Sequence, residues 1–287
     1  MRAWRFGLAA ALAVSLAAPV QAEPRVWVVR DADSEMLIFG SVHVLPPGLS
    51  WRPAALDAAL RRAEDLWFEL PVDAATERET ARLAANLGVL PPGQSLFGLL
   101  TPADAAKLSQ LAQVYGIDRM TLGRLKPWLA EVALASALYG KFGAVAEHGV
   151  EASVSATAPA TLRRRALETP AQQLSLFDQT PLADQITSLR ETMDELDQDP
   201  GRFRALIDAW IDGDMAGLER ETLSLREASP DLFRRLITER NAAWTRTLDA
   251  RLKGRGRSVV VVGAGHLVGE DGLPTRLRAL GYSVSGP

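Results

Sequence analysis

The stretch Ser258-Val-Val-Val-Val-Gly263 decides the fold. Four consecutive valines predict a strand that is buried on both faces, which is typical of a largely parallel sheet covered by helices. Two shorter apolar runs, residues 25–30 and 35–40, flank Asp31-Ala-Asp-Ser34 and predict two strands joined by a hairpin turn. Residues 35–71 alternate strand, helix and strand, so they predict a βαβ unit with parallel pairing.

Helical patterns dominate between these strands. From about residue 76 to residue 253 the sequence is mainly helical, except for a possible short strand that follows the exposed arginines Arg163-Arg-Arg165. Residues 281–284 predict a last edge strand. We find no repeat, linker or low-complexity tract that would separate domains. The expected fold class is therefore α/β, a mixed sheet with flanking helices, in a single domain over residues 23–287 with a helical insertion at about 76–253.

Composition excludes several classes of protein. The chain has 287 residues, 47% of them hydrophobic, which argues against intrinsic disorder. Its 32 Lys and Arg residues against 35 Asp and Glu residues give a net charge of −3, so we expect no nucleic-acid partner. The absence of cysteine excludes disulfides, thiolate metal sites and cysteine nucleophiles.

The N-terminus predicts export. Arg2 and Arg5 precede an apolar stretch over residues 6–19, and Val20-Gln-Ala22 supplies small residues for cleavage, so residues 1–22 are typical of a signal peptide. An uncleaved N-terminal anchor is the alternative. No later apolar run has the length of a membrane span. We therefore expect a periplasmic or secreted protein with no stable membrane span after cleavage.

Two of the three histidines occupy the same local context. Each follows a predicted apolar strand and a glycine, in Gly40-Ser-Val-His43 and in Gly263-Ala-Gly-His266. Side chains just beyond the carboxyl ends of parallel strands converge on one crevice, so both imidazoles can reach a shared site. A lone histidine would more often be structural, but the matched pair favours a functional role. His148 lacks this context and is expected at the surface.

Glu69 is the expected third member of this site. It ends a predicted strand beside Trp67, Phe68 and Leu70, although a carboxylate that reaches solvent past Pro71 is the alternative. Two histidines and one carboxylate match the ligands of a catalytic zinc site and equally suit manganese, cobalt or ferrous iron. The same groups can also act without metal, with one imidazole as general base. The spacing does not separate these alternatives.

The order of motifs along the chain resembles the TraB/GumN family, which includes the Tiki-type proteases and is distantly related to erythromycin esterase. The resemblance rests on six motifs, namely Phe39-Gly-Ser-Val-His43, Leu66-Trp-Phe-Glu69, Lys126-Pro-Trp128, Leu167-Glu-Thr169 with Gln173, Arg240-Asn241 with Trp244, and Val262-Gly-Ala-Gly-His266. The family's paired histidines correspond to His43 and His266, its acidic residue to Glu69 and its arginine to Arg240. Ser41 stands where threonine is usual, and Glu151 departs from a frequent aspartate, which leaves its role open.

The resemblance implies an exported metal-dependent hydrolase, peptidase-like in activity. His43, Glu69 and His266 would hold a divalent ion such as Mn, Co or Zn and lower the pKa of a bound water. Arg240 would stabilise the oxyanion, Asn241 would be a packing or supporting residue, and Glu168 would either support the site or be solvated. The expected substrate is a peptide or a small ester or amide. The alternatives are a metal-independent esterase-like hydrolase, which is the chemistry of the esterase branch, and a non-catalytic protein that binds a metal, haem or peptide.

Overall fold

The computed structural model of the chain describes residues 23–199 and 201–287. The predicted signal peptide, residues 1–22, lies outside the described residues, and its cleavage and the export of the protein stay predictions. Among the described residues, no helix combines the length and the apolar character needed to cross a membrane.

Six strands form one mixed sheet in the order β4-β3-β5-β2-β1-β6. Their bounds are β1 (Val26–Arg30), β2 (Ser34–Ser41), β3 (Asp65–Phe68), β4 (Arg163–Ala166), β5 (Gly256–Gly263) and β6 (Ser283–Ser285). Strands β4, β3, β5 and β2 are parallel to one another, whereas β1 forms an antiparallel hairpin with β2 and pairs with the edge strand β6. The α/β fold class and the hairpin predicted from the sequence are confirmed.

The helices of the described residues flank this sheet. They are α1 (Ala54–Leu60), α2 (Ala74–Leu87), α3 (Leu96–Leu99), α4 (Pro102–Tyr115), α5 (Arg119–Gly123), α6 (Pro127–Lys141), α7 (Val150–Thr157), α8 (Pro170–Asp178), α9 (Leu182–Gln198), α10 (Arg202–Asp212), α11 (Met215–Ala228), α12 (Pro230–Phe233), α13 (Arg240–Leu252) and α14 (Leu273–Ala279). A π-helical turn, Arg234–Glu239, joins α12 to α13. Only β4 interrupts the helices between β3 and β5.

The valines of β5 divide the core into two layers. Val259 and Val261 pack on one face of the sheet with residues of α1 and the insertion, whereas Val260 and Val262 pack on the other face with α13 and α14. All four are fully buried. Successive side chains of a strand point to opposite faces, so a run of valines requires helices on both sides.

The parallel unit over residues 35–71 differs from the prediction in one respect. Strands β2 and β3 are parallel, but they do not pair with each other because β5 lies between them. The expected direct pairing is therefore wrong. A strand that is apolar on both faces gains most from a central position with two covered faces, and β5 takes that position.

An aromatic cluster anchors the insertion to β2. Trp210 of α10 packs against Phe39 and Trp51, with ring centroids 6.2 and 5.7 Å away. Its buried indole Nε1 donates a 2.9 Å hydrogen bond to the carbonyl of Gly40. This contact fixes the backbone just before Ser41 and His43.

Replacing Trp210 by Phe should lower the free energy of unfolding by about 1–3 kcal/mol, because the buried Gly40 carbonyl loses its donor. Urea denaturation measures the change. Trp67→Phe is the control, since the Trp67 Nε1 has no hydrogen-bond partner within the described part of the chain. Equal losses in the two variants would contradict the anchoring role of the hydrogen bond.

Candidate active site at the carboxyl edge of the sheet

Four parallel strands end at the same edge of the sheet, which we call the carboxyl edge. In the register of the sheet Ser41 pairs with Gly263, and Phe68 pairs with both Val261 and Ala166. His43, Glu69, Glu168 and His266 follow these strand ends by one to three residues. Parallel strands therefore bring together side chains that are far apart in the sequence.

Arg240 and Glu69 form a buried ion pair at the centre of this edge. The guanidinium Nη2 donates to Glu69 Oε2 over 2.6 Å, and the two side chains are 10% and 8% exposed. The other carboxylate oxygen, Oε1, accepts from the backbone N–H of Gly263 over 2.7 Å. Gln173 of α8 also donates to Oε2, over 3.2 Å. Glu69 therefore does not reach solvent past Pro71, and Arg240 is buried with it.

A second carboxylate completes the surroundings of Arg240. Glu168 accepts from Nε and Nη2 over 2.9 and 3.0 Å, so the two side chains form a bidentate pair. Trp244 Nε1 donates to Glu168 Oε1 over 2.9 Å, and the guanidinium carbon lies 4.5 Å from the Trp244 ring centroid. Glu168 is thus a supporting residue of this edge and not a solvated acid.

Asn241 fixes the tautomer of His266. The Asn241 amide Nδ2 donates to the carbonyls of His266 and Asp271, so its Oδ1 accepts from His266 Nδ1 over 2.7 Å. With its proton on Nδ1, the imidazole presents the lone pair of Nε2 to Arg240 Nη1, 3.1 Å away. Asn241 therefore supports the site by holding the His266 ring, as expected for a supporting residue.

Burial separates the charge states of the inner groups. Burial, with a further effect of Arg240, lowers the pKa of His266 to about 3, so this ring is neutral at pH 7. Burial alone would raise the pKa of Glu69, but His266, Arg240 and His43 together with the Gly263 N–H lower it to about 2. Since His266 is neutral, the charges of Arg240 and His43, together with the Gly263 N–H, keep Glu69 ionised at physiological pH.

His43 occupies the outer part of the site and has a carboxylate of its own. Its Nδ1 lies 2.7 Å from Glu151 Oε1, and the ring is 65% exposed. The Ser41 hydroxyl donates to the same oxygen over 2.6 Å. The charge of Glu151, together with the hydrogen bond to it, raises the pKa of His43 to about 9. The imidazole is therefore protonated at neutral pH.

Glu151 reaches His43 because Gly149 permits a close approach. Glu151 lies in the first turn of α7, and a Cβ atom at Gly149 would collide with the backbone carbonyl of His43. The Val150 N–H also donates to the Val42 carbonyl over 3.1 Å. The sequence feature that permits this contact is the absence of a side chain at Gly149. Nothing in the spacing of residues 43 and 151 predicts it.

The histidines and Glu69 surround a common space beside Gly263. A Cβ atom at Gly263 would lie 3.3 Å from Glu69 Oε1, 3.6 Å from His266 Cδ2 and 3.7 Å from His43 Nε2. The side chains predicted as site residues, His43, Glu69, Arg240 and His266, thus lie together. The exposed His148 lies at the surface, as expected.

The donor atoms do not fit a divalent ion in this arrangement. A metal ion needs the lone pair of His266 Nε2 and an oxygen of Glu69, and Arg240 donates to both groups. A protonated His43 has no free lone pair for a metal. Among residues 23–199 and 201–287 no three His, Asp or Glu side chains form a group with metal-site spacing. The metal stays a prediction that experiment must test.

Comparison with known proteins identifies the family. The model of the TraB/PrgY/gumN family matches residues 25–286, nearly all of the described chain. The chain belongs to the TraB/PrgY/gumN family. The resemblance inferred from the motifs is therefore confirmed.

Relatives in this family come from several bacteria. A protein of Treponema pallidum (strain Nichols), named only as an uncharacterized protein, is 24% identical over 264 residues, which cover 88% of this chain and 79% of the relative. The uncharacterized protein YbaP of Escherichia coli (strain K12) is 23% identical over 257 residues, covering 89% of this chain and 92% of YbaP. No solved structure matches this TraB/PrgY/gumN chain.

The two histidines of the site should titrate at opposite ends of the pH range. Imidazole NMR of the intact protein, whose sequence holds only three histidines, should give a pKa of about 9 for His43 and no protonation of His266 down to about pH 3. Replacing Glu151 by Gln should return His43 towards its ordinary value of 6.5. His43→Ala and His148→Ala assign the signals.

The same shift makes stability depend on pH. The pKa of His43 in the folded protein lies above its unfolded value of 6.5. The contribution of the His43–Glu151 pair to the free energy of unfolding is therefore fully present below pH 6.5 and is lost as pH rises through about 9. Glu151→Gln should remove this part of the pH dependence. An unchanged titration of His43 in Glu151→Gln would contradict the assignment.

Proposed function

We propose that the protein is a hydrolase that cleaves peptide-like amide or ester bonds at the carboxyl edge. The observation that carries the proposal is the space beside Gly263, where Glu69 Oε1 and His43 Nε2 approach one point from different strands. A carboxylate, an exposed protonated imidazole and a backbone-lined space are the parts that addition of water to a carbonyl requires.

Each group has a distinct part in the proposed reaction. A water held by Glu69 Oε1 attacks the carbonyl carbon and passes a proton to the carboxylate. Protonated His43 donates first to the developing oxyanion and then gives its proton to the leaving nitrogen or oxygen as the bond to carbon breaks. Transfer of the proton from Glu69 to His43 restores the starting state. Because a pKa of about 2 makes Glu69 a weak base, orientation and charge stabilisation supply most of the rate.

Arg240 and His266 act on the reaction through Glu69. Arg240 holds Glu69 Oε2 and leaves Oε1 beside Gly263, while neutral His266 accepts a hydrogen bond from Arg240. In this proposal Arg240 positions the carboxylate. Direct contact of Arg240 with the oxyanion requires that a substrate displace one of its four acceptor groups, which are Glu69, Glu168, His266 and the Leu236 carbonyl.

A metal-dependent form of the same hydrolysis is the second candidate. The observation in its favour is that His43, His266 and Glu69, the ligand set implied by the family resemblance, border one space. This form requires that Arg240 leave His266 and that His43 lose its proton. The metal-dependent form is the exported, peptidase-like hydrolase that the family resemblance implies. Hydrolysis without a metal is the chemistry of the esterase-like alternative. The non-catalytic binding alternative predicts binding without turnover.

Substitutions of the reacting groups test the proposed hydrolase. His43→Ala and Glu69→Gln should each lower hydrolysis of a responsive peptide or ester by about 10²–10⁴-fold, the usual loss of a general acid or base. His148→Ala is the matched control, because it removes an exposed imidazole away from the carboxyl edge. Steady-state assays of a peptide and ester library give the rates. Equal rates in His43→Ala and His148→Ala would overturn the assignment.

Metal content separates the two candidates. The protein without residues 1–22, purified without added metal, should contain less than one equivalent of Mn, Co or Zn by elemental mass spectrometry and keep its activity in a chelator. We expect this because Arg240 donates to His266 Nε2 and to Glu69 Oε2, two of the groups that a metal ion would need. One bound equivalent that is lost in His43→Ala and in His266→Ala, together with loss of activity on chelation, would favour the metal-dependent form.

A further inference from the structure

A cleft of about 550 Å³ lies within the helical insertion, outside the carboxyl edge. Its walls come from α6, α8, α9, α10, α11 and α12 and from the π-helical turn. Trp128 and Phe177 stack along one wall, with ring centroids 6.0 Å apart at an interplanar angle of 21°. The volume suits a small organic ligand or one side chain with its flanking backbone.

Carboxylates without a cationic partner line the cleft. Glu131, Asp184 and Glu191 border it. None of the three has an ion-pair partner among the side chains of residues 23–199 and 201–287. Carboxylates that are removed from water need a compensating charge. Glu131 and Glu191 are partly buried and therefore favour a cation in the cleft, whereas Asp184 is exposed.

The arginines of the cleft do not supply this charge. Arg202 pairs with Glu195 and Glu221, both over 2.6 Å. Arg235 donates to the carbonyl of Gln179 over 3.3 Å and to the hydroxyl of Thr180 over 3.4 Å. Neither arginine forms an ion pair with Glu131 or Glu191.

Hydroxyl groups donate hydrogen bonds to the Glu131 carboxylate and orient it. The Ser188 hydroxyl lies 2.9 and 3.1 Å from its two oxygens, and the Thr192 hydroxyl donates to Oε1 over 3.0 Å. Burial raises the pKa of Glu131, and Glu191 and Glu195 add to this effect. Hydroxyl donors orient a carboxylate but do not neutralise its charge. Glu131 can therefore still accept a hydrogen bond from a positively charged group.

Two residues that line the cleft have unpaired polar atoms. Trp128 Nε1 and Gln185 Oε1 have no hydrogen-bond partner within the described part of the chain, and their residues are only 3% and 5% exposed. Such atoms are rare in folded proteins and call for a partner. One is a donor and the other an acceptor, and both atoms are buried in the wall of the cleft.

The chemistry of the cleft selects an organic cation over a metal ion. Among residues 23–199 and 201–287 no three carboxylates lie close enough together to hold a metal. An alkylammonium or guanidinium group reaches across a wider site and packs its apolar stem on aromatic rings. A peptide offers such a group together with a carbonyl and an N–H.

Two elements, α8 and the π-helical turn, connect the cleft to the carboxyl edge. Helix α8 carries Gln173, which donates to Glu69, and one turn further Phe177, which lines the cleft. Leu236 lines the cleft as well, and its carbonyl accepts from Arg240 Nη1 over 3.2 Å. The cleft and the carboxyl edge therefore share α8 and the π-helical turn as common walls.

We propose that this cleft binds the cationic side chain of an arginine- or lysine-containing peptide, with Glu131 and Glu191 as its counter-charges. Trp128 and Phe177 pack against the apolar stem of that side chain. Binding to the cleft stands on the geometry alone, whereas the identity of this peptide as the substrate rests on the proposed hydrolase function.

Calorimetric titration of the intact protein tests the cleft with two uncharged-backbone probes, N-acetylarginine amide and N-acetylcitrulline amide. They are nearly isosteric and differ in the charge of the side chain. We expect the arginine probe to bind about tenfold more tightly, the usual gain from a charge-assisted hydrogen bond. Equal affinity of the two probes, or no binding of either, would overturn the proposal.

Matched variants locate the binding. Glu131→Gln and Glu191→Gln should each reduce the preference for arginine about threefold. Glu77→Gln, which removes the same charge from an exposed position of α2, should leave it unchanged. Asp184→Asn, at an exposed position of the cleft, replaces either variant that does not fold. A preference that survives all cleft variants would place the binding elsewhere and refute the proposal.

A further variant separates this inference from the proposed function. His43→Ala should lose hydrolysis and keep the preference for the arginine probe, because His43 is exposed and does not line the cleft. Retained binding in a chain that never hydrolyses any peptide would overturn only the proposed function. Loss of the preference in His43→Ala would show that the probe binds at the carboxyl edge and would contradict the cleft.

Discussion

The buried ion pair between Arg240 and Glu69 is the interaction on which the carboxyl edge depends. Glu69 follows β3, and Arg240 begins α13, so their 2.6 Å contact joins the sheet to a helix 171 positions further along the chain. Glu168 and Gly263 extend the contact to β4 and β5. Removing one partner of such a pair leaves a charge without compensation and typically costs about 3–5 kcal/mol. The site and the fold are therefore stabilised by the same contact.

The two histidines show how position sets chemistry. Both follow a strand and a glycine, yet His266 is buried and neutral whereas His43 is exposed and protonated beside Glu151. Asn241 holds the first ring by its Nδ1, and Glu151 holds the second. An inner acceptor and an outer proton donor result from one repeated motif. This division gives the proposed hydrolysis its separate positioning and proton-transfer groups.

Local signals in the sequence predicted the central strand and the residues at strand ends. The valines of β5 predicted burial on both faces, and the glycines before His43 and His266 marked the edge at which both rings lie. Local signals could not predict contacts made by helices far along the chain, and Arg240 and Asn241 of α13 were predicted only through the family resemblance. Glu151 approaches His43 only because α7 packs against the loop after β2, and spacing carries no information about that packing. The position of β5 between β2 and β3 was missed for the same reason.

A double-mutant cycle on Glu69 and Arg240 tests the central claim most directly. The free energy of unfolding is measured for the original chain, Glu69→Gln, Arg240→Met and the double variant. The account predicts that each single substitution destabilises the protein strongly and that the double variant loses at least about 2 kcal/mol less than the sum, since contacting buried charges are coupled. Additive losses within about 0.5 kcal/mol would contradict it.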